Sequence, residues 1–174
     1  MTKAEIQGLL SNSHDAIINF IDSLSEAEYM NQKADKWTAG QQIEHLIIST
    51  QPLKILRWLP VFLIKNKFGL ANRPSKTYDE LVARYKEKLA LGGTAPSRFS
   101  PKKVAFAAKK GLNKTLLSNV ETLKKVSGRF SEVELDTLII PHPLLGKLTL
   151  REMLMFTAYH ALHHLEITKR NLYS

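Results

Sequence analysis

The amino-acid sequence predicts an all-α protein, a four-helix bundle with a short extra helix in the connection between helices two and three. Three observations carry that expectation. Apolar residues recur at helical spacing in four long segments and one short one. Four of these segments open on a threonine followed three residues later by Glu or Gln, the pairing in which each side chain satisfies the other's orphan backbone N–H. No segment shows the alternation of a half-buried strand. With 174 residues, 44% hydrophobic and 24% charged, the chain fits a single globular domain spanning residues 1–174 and can bury an apolar core.

The first helix opens on Thr2 with Glu5 and runs to about Leu24, with Ile6, Leu9, Leu10, Ile17 and Ile21 on one face. The second opens on Thr38 with Gln41 and carries Ile43, Leu46 and Ile47. Pro52 and Pro60, which lack a backbone donor, should kink or break it before Lys65. The short helix opens on Thr77 with Glu80 and repeats Tyr78, Leu81, Val82, Tyr85 and Leu89 up to Leu91. The third long helix is expected from Pro101, after Ser100, to about Val126, with Gly128 as its C-cap. Residues 139–148 hold Pro141, Pro143 and Gly146 and read as a turn-rich approach. The last helix opens on Thr149 with Glu152 and runs from Leu150 to about Leu172. Trp37 reads as a packing anchor at the second helix's entrance, and Trp58, in the apolar run 56–63, as a core residue.

The absence of cysteine rules out disulfides, thiolate metal sites and cysteine nucleophiles, leaving His, Asp and Glu as metal ligands. The N-terminus lacks the pattern of a signal peptide, and the longest apolar run, residues 58–64, is far below the roughly 20 residues of a membrane span. A cytoplasmic protein without a membrane partner is therefore expected. Twenty-five basic against 16 acidic residues give a net charge of +9, which suits an anionic partner without choosing one. Lys102, Lys103, Lys109, Lys110 and Lys114 would fall in a sector of roughly 140° on the third long helix, a pattern read as its solvated face. Without helix-turn-helix spacing or an aromatic platform, specific nucleic-acid binding is not expected. Phosphate loops and nucleophile elbows are absent, and no Glu stands three residues before a His, which excludes the di-iron bundle pattern.

Three of the six histidines fall within Tyr159-His160-Ala161-Leu162-His163-His164. At about 100° per residue, His160 and His164 stack one turn apart beside the apolar face, with Met153 and Thr157 on the same stripe, the spacing at which two imidazoles hold one ion. His163 is rotated about 60° outward, toward the surface. His14 reads as a helix-surface residue and His142, between two prolines, as a loop residue. Periodicity leaves His45 open, because it lies off the stripe of Ile43, Leu46 and Ile47 while Ile48 is apolar on its own side.

Two stretches carry a family resemblance. Trp37-Thr38 through His45-Leu46 resembles the second-helix signature of the DinB-like (DinB/YfiT) metalloprotein superfamily. So does Gly146-Lys147-Leu148-Thr149 leading into His160 and His164. The resemblance implies a four-helix bundle with a divalent metal held by His45, His160 and His164. Some members of that family resemble thiol-dependent transferases and others hydrolases or isomerases. Relatives often carry Gln three residues after the last ligand, where this chain has Ile167. Three neutral imidazoles leave coordination positions open, and all-nitrogen ligation suits zinc or nickel, with iron or manganese next. The expected function is metal-dependent conjugation of an anionic low-molecular-weight thiol to a small electrophile, in a pocket lined by Met153, Thr157 and the Trp58 region. The alternatives are a metal-dependent hydrolase on the same site and a non-enzymatic basic nucleic-acid-binding or interaction bundle. A homodimer is compatible with all of these.

Overall fold

The computed structural model describes residues 1–173. Its helices are α1 (Lys3–Ser23), α2 (Glu26–Met30), α3 (Ala39–Lys54), α4 (Val61–Phe68), α5 (Tyr78–Ala90), α6 (Lys109–Arg129), α7 (Glu132–Thr137) and α8 (Leu150–Tyr173). A hairpin of β1 (Ile139–His142) and β2 (Gly146–Thr149) leads into α8. The bundle is α1, α3, α6 and α8. Helix α1 packs on α8 and α6, and α3 packs on the same two from the other side, closing a four-membered ring. Helix α5 lies outside the ring against α8.

All four expected capping boxes form, at Thr2, Thr38, Thr77 and Thr149. Two more, Ser25 with Glu28 and Ser131 with Glu134, start helices too short to show periodicity, α2 and α7. The break expected from the two prolines falls between Lys54 and Val61. Pro52 is accommodated in the last turn of α3, a 3₁₀ turn spans Ile55–Arg57, and Pro60 caps α4. The connection between bundle helices two and three thus holds α4 as well as the expected α5.

Other expectations are corrected. Helix α6 begins at Lys109, eight residues after Pro101. Phe106 is held edge-on against Tyr29 at 5.5 Å, and the Lys109 ammonium donates to the carbonyls of Asp22 and Leu24 at the end of α1, at 3.0 and 2.9 Å. These anchors set the helix start, so the five lysines share no helical face and Lys109 is buried. Gly128 lies inside α6, with Phe130 as the C-cap. The turn-rich approach is a two-stranded hairpin whose four-residue strands are too short to display alternation. It turns at Gly146, which has a φ of 77°. His14 is fully buried, its Nδ1 donating to the Leu10 carbonyl at 2.8 Å. Trp58 is exposed and belongs to no core.

The start of α8 is set by a buried charge. Glu152 is fully buried and accepts from Arg73 Nη1 and Nη2 at 2.6 and 2.9 Å, from the Lys76 N–H at 2.8 Å and from the Thr149 N–H at 3.0 Å. Burial alone would raise its pKa. The Arg73 guanidinium and the two backbone donors outweigh that and hold it below the ordinary value. Beside it, Arg151 joins Asp136 and Glu132 at 2.6 Å each. A carboxylate with a lowered folded-state pKa stabilises the fold above its unfolded pKa, and that stability is lost as pH falls through the folded value. Glu152→Ala, which strands three donors, should lower unfolding stability by about 3 kcal/mol in urea titrations at neutral pH. The deficit should shrink as the wild type is acidified below pH 4.5.

Candidate metal centre

Two helices bring the site together. Helix α8 presents His160 and His164 one turn apart toward the bundle axis, and the neighbouring α3 presents His45 beside them. All three side chains are buried. Their Nε2 atoms converge: His160 Nε2 lies 3.3 Å from that of His45 and 3.0 Å from that of His164. Nitrogens about 2.0–2.1 Å from a tetrahedral zinc ion stand roughly 3.3 Å apart, so the spacing suits a shared divalent ion. The three rings form a group able to hold one.

The other ring nitrogens explain why the Nε2 atoms are available. His45 Nδ1 donates to the Phe99 carbonyl at 2.7 Å, and His164 Nδ1 donates to the side-chain carbonyl of Gln42. A proton committed to Nδ1 leaves a lone pair on Nε2, and the hydrogen bond fixes the plane of the ring. The Trp37 indole lies against the same pair, 4.9 Å from the His45 ring and stacked 6.3 Å from that of His164. Phe156 stacks on His160 at 5.2 Å.

Electrostatics keep the rings neutral. Burial pushes the pKa of His160 well below its ordinary value, and the neighbouring His164 and His45 push it further. Burial does the same to His164, assisted by His45 and His163. Burial also lowers His45, against a smaller opposing effect of the Phe99 carbonyl. The site therefore presents uncharged lone pairs at neutral pH.

A family model of the DinB superfamily matches residues 9–168. The chain belongs to the DinB superfamily. No curated protein matches it. The helical bundle of this DinB-superfamily chain is consistent with that family, and its three-histidine cluster is of a kind that could bind a metal.

The cluster opens into a cavity of about 700 Å³. Met153 and Thr157, expected to line a pocket, do so, and Ile167 joins them. The Trp58 region does not. His163, expected on the surface, is half-buried on the cavity wall, where burial brings its pKa to about 4. His142 also lines the cavity. Its Nδ1 accepts from the N–H groups of Leu144 and Leu145, and its pKa is likewise about 4 through burial. Sequence reasoning missed Gln42 and Phe99. Gln42, three residues before His45, shares its helix face and was findable as a polar neighbour. Phe99 acts through its backbone carbonyl, which leaves no sequence signal.

His14 forms the buried inner lining, and burial lowers its pKa to about 4. A histidine whose folded pKa lies below its unfolded value of 6.5 binds fewer protons when folded, so stability falls as pH drops from 6.5 toward 4. Metal-free protein should lose stability across that window in denaturant titrations. His14→Leu should flatten part of the slope.

Proposed function

We propose that His45, His160 and His164 bind one divalent transition metal through Nε2, zinc or nickel in preference to iron or manganese. We further propose that the loaded protein conjugates an anionic low-molecular-weight thiol to a small electrophile. The observation that carries this reading is the convergence of three neutral imidazole lone pairs, two of them oriented by Nδ1 hydrogen bonds, on the wall of an open cavity. A structural site closes its coordination with protein ligands, whereas three ligands beside a cavity leave room for a reactant. An ion bound there supplies Lewis acidity and lowers the pKa of a thiol or water beside it.

The chain's own residues then divide the work. Lys36 and Arg170 line the cavity among exposed residues and attract an anionic thiol. Leu46, Leu53, Met153 and Phe156 form an apolar wall that holds a small electrophile and excludes water from it. In conjugation the sulfur forms the new bond to carbon and the leaving group departs with its electron pair. The thiol proton passes to water, since His163, with its pKa near 4, is a weak acceptor at neutral pH. Ile167 extends the apolar wall at the position where relatives often carry Gln. That favours an electrophile without a polar group at this point.

Elemental analysis of protein purified without a metal-affinity tag should find one transition metal per chain. His45→Ala, His160→Ala and His164→Ala should each lose most of it, and His163→Ala should keep it. Gln42→Leu should weaken affinity by roughly 10- to 100-fold through the His164 ring alone. Full metal content in His45→Ala would sink the three-ligand reading.

For the reaction, metal-loaded protein is given cellular thiols with a chromogenic electrophile. Conjugation faster than a free-metal control, abolished in His160→Ala, is expected. Turnover of an ester or amide panel without any thiol reaction would replace the transferase with a hydrolase at the same site.

A further inference from the structure

The elbow between α3 and α4 carries side chains that the bundle does not use. Trp58 is 75% exposed, Phe62 61%, Ile55 60% and Leu63 41%, four large apolar groups within nine residues. Such groups cost free energy in water, and a cluster of them marks a surface that meets a partner. The chain turns through 119° here, so the cluster sits at a corner and not on a flat helix face.

Charge identifies the partner. From His45 to Tyr78 the chain holds six basic residues and no Asp or Glu. Lys54 is bonded to Asn119, and Arg73 and Lys76 to Glu152. Arg57, Lys65 and Lys67 remain exposed around the cluster, and among the described residues none of them pairs with a carboxylate. The Arg57 guanidinium sits 4.7 Å over the Trp58 ring, and the Lys67 ammonium 5.5 Å over that of Phe68. Arg129 on α6 reaches the same elbow, donating to the Leu59 carbonyl at 2.8 Å.

We propose that this elbow docks on anionic lipid bilayers. Trp58 and Phe62 would enter the headgroup boundary while Arg57, Lys65 and Lys67 face lipid phosphates. Tryptophan favours that boundary, having an apolar ring and one polar N–H, and basic residues around an apolar wedge bind negative leaflets. A second copy of the chain is a poorer occupant, because a symmetric contact through this corner sets its basic rim against an identical basic rim. The docking is peripheral: among the described residues no single helix is long and apolar enough to cross a membrane, and although the two arms of the elbow together are apolar enough, Leu53, Leu56 and Ile64 tie both of them into the bundle core. The sequence argued against a membrane partner from the shortness of its apolar run, which bears on spanning and not on docking at a surface, and the exposure of Trp58 is what adds the second. The elbow ends the same helix that carries His45, about 15 Å farther along at 1.5 Å per residue.

The test is flotation of the full chain with phosphatidylcholine vesicles and with equimolar phosphatidylcholine–phosphatidylglycerol vesicles, with tryptophan emission recorded. Binding to the anionic vesicles alone is expected, weakened by salt, with a blue shift that Trp58→Phe removes. Replacing Arg57, Lys65 and Lys67 with Gln should lower partitioning by about a hundredfold, roughly fivefold per charge. Trp58→Ser with Phe62→Ser should abolish it, and the charge variant keeps the proposal testable if the apolar one fails to fold. Equal binding to both vesicles, or to neither, overturns the proposal. So does a dimer in light scattering that Trp58→Ser with Phe62→Ser disperses, which would make the elbow a contact between copies.

Discussion

The orientation of the candidate site rests on two hydrogen bonds from imidazole Nδ1 atoms, one to the Phe99 carbonyl and one to Gln42. Three buried imidazoles at van der Waals range are neutral by necessity, and neutral rings can point either nitrogen inward. The two bonds remove that freedom. Phe99 closes a 3₁₀ turn, Ser97–Phe99, outside the α-helical ladders, which leaves its carbonyl free to accept from the ring. Gln42 in turn requires α3 to present two polar residues to the bundle axis, which explains why its apolar stripe looks diffuse in the sequence.

Much of the fold was legible because helix starts are local. A threonine and a Glu or Gln three residues apart are read without knowing anything else, and all four such pairs form. The same rule applied to Ser25 and Ser131 would have found α2 and α7, but five- and six-residue helices offer no periodicity to confirm it. What could not be read was decided by tertiary contacts. The ammonium of Lys109 displaced a helix start, and the four-residue strands of the hairpin are held by pairing and not by pattern. His14 reads as a surface residue for want of a partner in the sequence, whereas inside the core its Nδ1 is satisfied by the Leu10 carbonyl one turn back.

The site was legible to a different degree. His160 and His164 follow from their spacing, and His45 came only through the resemblance, because its own helix left its direction open. The structure brings the three nitrogens together. Trp58 failed for the opposite reason. A tryptophan in an apolar run is a core residue only if the run stays in the core, and the chain leaves it at the 3₁₀ turn after Lys54.

His45 and His160 are separated by 115 residues, yet their Nε2 atoms lie within hydrogen-bonding distance. On its own, α8 offers an ion two nitrogens, a weak and easily exchanged bidentate grip. The third arrives only when α3 has docked on the neighbouring α8, so no chain in which that contact is open presents the complete cluster. The complete cluster therefore exists only in chains whose two helices are docked, and a three-nitrogen grip on an added ion would distinguish such chains from ones in which either helix is loose.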